Sequence, residues 1–245
     1  MDAGDLADLI TDELRAVARP ERAVQEKAYL KSDLEFLGAS VWELRRVVKA
    51  FLKGALPLTH DRLIALVEAL WAKPIFERRM AAAVLLELHP KLLGPGDLPL
   101  IERLLRESLT WALVDWLSGD VVGAILAGSR GEVTPVLDRW AADPDFWIRR
   151  SSLLAELRFV KGGGDLSSFL HRADGMLDEK EFFIRKAIGW VLREVSKKRP
   201  DEVIAWLALR THRASGVTMR EAVRYLPPAE GERLMTAYRE KRPAA

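Results

Sequence analysis

The sequence predicts an all-α chain arranged as a helical-repeat solenoid, and three observations predict it. Apolar residues recur at i, i+3, i+4 and i+7 in nearly every segment, alternating strand patterns are absent, and aromatic anchors recur every 35–36 residues. At 245 residues, 49% of them hydrophobic and 30% charged, the chain is long enough to bury a substantial core. A single repeat domain over 1–245 is expected, with about 12–14 short helices.

The segments follow in order. LADLITDELRAVA (6–18), VWELRRVVKAFLKG (41–54), DRLIALVEALWAK (61–73) and DEVIAWLALR (201–210) are amphipathic at helical spacing. Breaks are expected at Gly54, Pro57, Pro74, Gly94-Pro95-Gly96, Gly128, Pro144, Gly162-Gly163-Gly164, Pro200 and Pro227-Pro228. Three segments resemble one another: PIFERRMAAAVLLEL (74–88), DFWIRRSSLLAELR (145–158) and EFFIRKAIGWVLRE (181–194). Aligning Phe76, Trp147 and Phe183 stacks Arg78-Arg79, Arg149-Arg150 and Arg185-Lys186 in one column. Trp147 to Phe183 is 36 residues, Trp111 to Trp147 is 36 and Phe76 to Trp111 is 35. A two-helix repeat of that length is the mark of an α-solenoid.

The repeat at Trp111 departs from the others. Leu113-Val114 replace its basic pair, and Asp115 stands where the others carry Met80, Ser151 and Ala187. Trp111 and Asp115, four residues apart, share one helix face. A carboxylate beside an indole is either a solvated edge or a site, and scaffolding alone does not call for this exchange.

Charge is unevenly spread. Phe146 to Tyr225 holds 16 Lys/Arg against 10 Asp/Glu, a net of +6; the whole chain carries +2, so the rest carries −4. A basic half suggests a polyanion such as nucleic acid. Stacked repeats would make the column from Arg78 to Lys186 a ladder suited to a phosphate backbone, extended by Arg158, Lys161, Arg193 and Lys197-Lys198-Arg199. The bland reading of the same residues is helix-terminal cations that complement the macrodipole. Of the eight tryptophans, Trp42, Trp71, Trp140 and Trp206 read as core. Trp190 shares the face of Phe183 beside Gly189, which leaves it room. Whether Trp111 and Trp190 converge on Asp115 depends on solenoid curvature.

Other chemistries are poorly supported. Cysteine is absent, so no disulfide, thiolate nucleophile or Cys-ligated metal is available. The four histidines, His60, His89, His171 and His212, lack metal spacing, and no metal or cofactor is expected. The glycine triplet 162–164 is followed by DLSS, which reads as a flexible loop and not a phosphate cradle. The acidic, amphipathic start does not resemble a signal peptide, and no apolar run approaches bilayer length. A cytoplasmic monomer without membrane contact is expected, associated with the nucleoid if it binds DNA.

The stretches YLKSDLEFLG (29–38), TWALVD (110–115), FWIRRSSLL (146–154) and EFFIRKAIGWVLREVSKKRPDEV (181–203) resemble the AlkD-type DNA alkylation repair glycosylases. That resemblance implies a HEAT-like solenoid curved around a concave basic cleft for duplex DNA. It implies metal-free hydrolysis of the N-glycosidic bond of cationic N3- or N7-alkylpurines, with the base left stacked. It matches the catalytic carboxylate to Asp115, the active-site tryptophans to Trp111 and Trp190, a phosphate-contacting arginine to Arg150 and a cleft tyrosine to Tyr29. Arg149, Arg185, Lys186 and Arg193 are the further DNA-binding candidates. The pattern departs at Thr110 and Ala112, where the family has a tryptophan and an acid, which bears on lesion spectrum more than on reaction type.

The residue types suit that chemistry. A cationic alkylpurine leaves without protonation, so help is needed for the positive charge developing on the sugar. A carboxylate opposes that charge and orients water, and indole faces attract cations. The alternatives are a non-catalytic DNA-binding solenoid and a protein-interaction scaffold. The lone acid argues against the first and the basic column against the second.

Overall fold

The computed structural model describes residues 2–54 and 58–240; Pro57, one of the expected breaks, lies outside them. The described residues are helical with no strand, apart from one isolated bridge between Glu35 and Ile75. They fall into two compact units, Met1–Ser129 and Arg130–Ala245.

The first unit holds α1 (Ala3–Ala16), α2 (Pro20–Leu30), α3 (Val41–Gly54), α4 (His60–Trp71), α5 (Phe76–Leu88) and α6 (Leu98–Arg106). A continuous helix follows, made of α7 (Trp111–Trp116), a π-helical segment (Leu117–Val122) and α8 (Gly123–Gly128). Local chemistry starts several of these helices. Asp2 accepts from the Asp5 amide at 2.8 Å and donates its own amide to Asp5, a capping box for α1. Pro20 opens α2, and Thr59 caps α4. Helix α5 is buried from Phe76 to Leu86, with α1, α3 and α4 packed around it. Its run MAAAVLLEL has no polar face to give to water, and its alanines admit neighbours closely.

The second unit holds α9 (Arg130–Ala141), α10 (Phe146–Leu154), α11 (Leu157–Lys161), α12 (Ser167–Gly175), α13 (Phe182–Ser196), α14 (Pro200–Ala208), α15 (Gly216–Ala222) and α16 (Pro228–Glu240). One core, with α13 contributing Ile184 through Val195, fills it. Gly189 is where α15 comes closest: a Cβ there would stand 2.6 Å from Glu221 Cβ and 2.9 Å from Thr218 O. Gly189 therefore serves helix packing and does not make room for Trp190. The glycine triplet is pinned, not loose, because the Arg199 guanidinium donates to Gly164 O (3.0 Å) and Val160 O (2.9 Å).

The four aromatic anchors mark helix starts. Phe76 and Trp111 open α5 and α7, and Trp147 and Phe183 stand second in α10 and α13. The cation two residues after the anchor turns back to carbonyls ending the preceding helix. Arg78 donates to Ala69 O (2.7 Å) and Leu70 O (3.2 Å), in the last turn of α4. Arg149 donates to Asp143 O (2.6 Å) and Pro144 O (2.9 Å), and Arg185 to Glu179 O (2.6 Å), in the turns after α9 and α12. The next cation reaches forward instead: Arg79 to Glu107 O, Arg150 to Phe183 O, and Lys186 to the Glu221 carboxylate at 2.5 Å. Helix C-termini leave carbonyls unmet and carry negative partial charge, a need that Arg78 and Arg79 answer; Arg149 and Arg185 serve turn carbonyls, and Arg150 and Lys186 the first turn of α13 and a carboxylate. Of the expected ladder, Arg78, Arg79 and Arg150 are thus turned inward, and Arg78, 2% exposed, has no surface to offer a phosphate, while Arg149, Arg185 and Lys186 are half-buried.

Ion pairs near one repeat length join α4 to α6 by Glu68–Arg103 (2.6 Å), α9 to α12 by Asp138–Arg172 (2.5 Å), and α12 to the turn after α14 by Asp174–Arg210 (2.6 Å). On α1, Asp8 accepts from Lys73 (2.9 Å) and Arg78 (2.7 Å). Those bonds, the Lys73 one foremost, hold its carboxyl at about 2 against an ordinary 3.8. A lowered carboxyl pKa stabilises the fold fully above the ordinary value, and the gain disappears as pH falls from 3.8 towards about 2. Asp8→Asn should therefore lower the melting temperature at about pH 6, and its deficit against wild type should shrink at about pH 2.5, as read by thermal melts. A deficit independent of pH would show that the pair's charge is immaterial.

Candidate active site

Helix α7 owes its orientation to Leu113 and Val114, both fully buried. The apolar pair that replaces the basic pair of the other repeats is core, which leaves Trp111, Ala112, Asp115 and Trp116 half-buried. The α6 end they might have capped is met from the preceding helix pair, by Arg79 on Glu107 O. Just before the helix, Leu109 holds a left-handed backbone (φ 54) with its side chain about half exposed, a strained setting for a residue with a Cβ. Thr110, buried, is the N-cap.

Tyr29, 71% exposed in the last turn of α2, meets Trp111 edge-on, with ring centroids 5.7 Å apart and planes at 84°. That edge-to-face geometry suits the quadrupoles of the two rings. The loop after α2 explains how Tyr29 is held. Lys31 (φ 50) ends α2 in the left-handed region. Glu35 then bridges to the start of α5, donating to Pro74 O (2.9 Å) and accepting from Phe76 N (2.8 Å), while Phe36 stacks on Phe76 at 4.9 Å. The amides of Leu37 (2.9 Å), Gly38 (2.6 Å) and Ala39 (3.2 Å) donate to the buried Glu77 carboxylate. Burial pushes the Glu77 carboxyl up, outweighing those donors, which act the other way. Gly38 is obligatory: at φ 97, a Cβ would lie 2.1 Å from Arg19 O. YLKSDLEFLG is a clasp that fastens α2 to α5.

On the far flank of Asp115, Trp116 Nε1 donates to Glu87 at 3.1 Å. Glu87 is gripped by Arg45 of α3 through two bonds (2.5 and 3.1 Å), and the same guanidinium lies 5.5 Å from the centre of the Trp116 ring. The π-helical segment begins one residue later, with Ser118 Oγ donating to Val114 O at 2.5 Å. Such segments are frequent at functional sites. Neither the Arg45–Glu87–Trp116 clamp nor the π segment is legible in the sequence. The helix 111–128 reaches bilayer length with a mean hydropathy of 1.3, contrary to expectation, yet half of it is buried in the fold.

The remaining expected site residues lie in the second unit. Trp190 is half-buried and packed against the core around α13. Arg150, 3% exposed, lies 5.7 Å from the centre of the Phe183 ring. Arg149 also pairs with Glu179 (2.7 Å), and Lys186 and Arg193 share Glu221. Tyr29 and Trp111 thus meet in one unit, with Asp115 one turn along α7 from Trp111, and Arg150 sits with Phe183 in the other. Trp71, Trp140 and Trp206 are core as expected, but Trp42 is 69% exposed. Its helical neighbours one and two turns on, Arg46 and Lys49, are charged, so its face of α3 is polar.

Paired helices stacked through arginine-capped ends, with a carboxylate set between tryptophans on one helix, define a helical-repeat protein with a candidate active site. Residues 10–226 match the family described as DNA alkylation repair enzyme, and the chain belongs to that family. A predicted DNA alkylation repair enzyme from Enterococcus faecalis is similar in structure, with a TM-score of 0.78 and 25% identity over 86% of this chain and 97% of that one. AlkD2 from Streptococcus mutans (TM-score 0.61, 16% identity, 83% and 99% covered) shares the fold. So does the Pseudomonas fluorescens alkylpurine DNA glycosylase AlkC, solved bound to DNA containing an abasic site analog (TM-score 0.55, 16% identity, 95% and 66% covered). Comparison with curated protein sequences gives no significant match.

The clasp generates a stability test. Glu77→Ala strips three buried amides of their acceptor and should cost about 3 kcal/mol in denaturant unfolding. A loss under about 0.5 kcal/mol would mean that water replaces the carboxylate and the clasp is dispensable.

Proposed function

We propose that this protein is a DNA glycosylase that hydrolyses the N-glycosidic bond of cationic N3- or N7-alkylated purines in duplex DNA. The observation that carries this reading is the grouping of Asp115 with Trp111 and the exposed Tyr29, in a chain of the DNA alkylation repair family.

The chemistry asked of these residues is modest. The C1′–N bond breaks with its electron pair passing to the purine, which loses its positive charge and departs neutral. Positive charge develops on the deoxyribose, where the Asp115 carboxylate opposes it. Water adds to C1′ and gives up a proton, leaving an abasic site. Fixed charge placed where charge develops needs no reorganisation at the moment of reaction. The clamp on Trp116 and the core positions of Leu113 and Val114 keep Asp115 in place. Indole and phenol faces favour a cation by roughly 0.5–2 kcal/mol, which suits Trp111 and Tyr29 to a charged lesion or sugar. Trp190 and Arg150 enter from the sequence resemblance: the first as a second aromatic contact, the second as a phosphate ligand once its guanidinium turns from Phe183 O. The non-catalytic DNA binder is the rival reading.

Asp115→Asn keeps shape and removes charge. It should leave the melting temperature and duplex binding near wild type, and slow single-turnover release of 7-methylguanine or 3-methyladenine by roughly 10²–10³-fold above the spontaneous rate. Undiminished release would remove Asp115 from the chemistry, and wild-type protein that releases no alkylpurine favours the binder. Trp111→Ala and Trp190→Ala should each slow release while leaving undamaged duplex bound nearly as before. Weaker binding with unchanged turnover per complex would make them positioning residues.

A further inference from the structure

The cations of the aromatic-anchored column all have internal partners, which raises the question of where unpaired positive charge lies. One answer is the outer face of α3. Trp42, Arg46, Lys49 and Lys53 recur at intervals of four, three and four residues, so they form one stripe along the helix. All four are exposed, and no carboxylate among the described residues pairs with Arg46, Lys49 or Lys53. Glu13 of α1 lines the neighbouring groove with Arg46 but forms no ion pair with it. Trp42 heads the stripe, with the Arg46 guanidinium 5.4 Å from the centre of its ring.

This stripe adjoins the candidate site. Arg45, the residue before Arg46, lies at its edge and clamps Glu87 and Trp116, next to Asp115. Arg46 and Lys53 are seven residues apart, about 10 Å along the helix axis. A span of that length reaches successive phosphates of one strand.

We propose that the outer face of α3 is a DNA-backbone site, with Arg46, Lys49 and Lys53 each neutralising a phosphate of one strand beside the lesion and Trp42 lying against a deoxyribose. It rests on the DNA-directed reading of the fold but not on glycosylase chemistry. A solvated basic face would need no indole, and burying Trp42's exposed surface against a sugar removes apolar area from water.

Arg46→Ala/Lys49→Ala/Lys53→Ala keeps a helix-favouring sequence, and circular dichroism and thermal melts check its fold. Binding of an undamaged duplex is measured at several salt concentrations, with Arg62→Ala/Lys91→Ala, two exposed cations elsewhere in the first unit, as the control. The triple variant is expected to lose about 2–3 units of salt slope and at least about tenfold in affinity, while the control keeps wild-type slope. Trp42→Ala should weaken binding several-fold with the slope unchanged. A folded triple variant with wild-type slope, or one that loses no more than the control, overturns the proposal. Release of 7-methylguanine at saturating DNA is read in parallel. Full slope in wild type without base release overturns the glycosylase reading and leaves this surface standing.

Discussion

Burying a helix end requires that its last carbonyls find donors, and stacking helix pairs buries many such ends. In this protein arginine meets the requirement. A guanidinium carries five N–H donors in a planar fork, so one side chain can satisfy two carbonyls and a carboxylate together. Arg78 does this at the end of α4, reaching Ala69 O, Leu70 O, Thr11 and Asp8. Arg213 takes one carbonyl, Asp174 O, and two carboxylates, those of Asp174 and Asp178, in the second unit. The basic column repeats because the carbonyls repeat. Where the column lapses, at Leu113-Val114, the preceding pair supplies Arg79, and α7 is released to bury an apolar face and present Asp115 beside Trp111.

The candidate site is held more rigidly than its exposed aromatic suggests. Tyr29 projects from α2, but the loop behind it is fixed by the Glu77 carboxylate, the Glu35 bridge and a glycine with no room for a side chain. Trp116 is held from the other flank by Glu87 and Arg45. Asp115 thus stands between two clamps from different helices, which suits the charge-opposing role proposed for it.

Much of this was legible in the sequence, and the misreadings share a cause. Periodicity located the helices and the 35–36-residue step because both follow from burial, which apolar spacing records. One helical turn placed Trp111 and Asp115 together for the same reason. The basic column was read as an outward ladder because a sequence shows that a residue is charged, not which carbonyl lies within its reach. Gly189 looked like space beside Trp190, yet the need was on the opposite side, where α15 crosses. Residue type alone places Trp42 in the core, although Arg46, Lys49 and Lys53 on its own face point outward. The π-helical segment left no mark, since one extra residue per turn does not alter composition.

That segment acts as a spacer in angle. Upstream of Leu117–Val122, Leu113 and Val114 face the core; downstream, Ile125 and Leu126 do. The wider winding between them lets both apolar pairs face inward in one unbroken rod. Deleting a single residue from 117–122 would leave a good helix in ordinary winding. Five residues of ordinary winding turn through about the same angle as six of the wider winding, so the upstream half would keep its bearing on α8. Deleting two would turn Trp111 and Asp115 by about 100° off their shared bearing with Tyr29, with no change in their own identities. In this chain the aim of the acidic group is encoded as a count of residues several positions downstream of it.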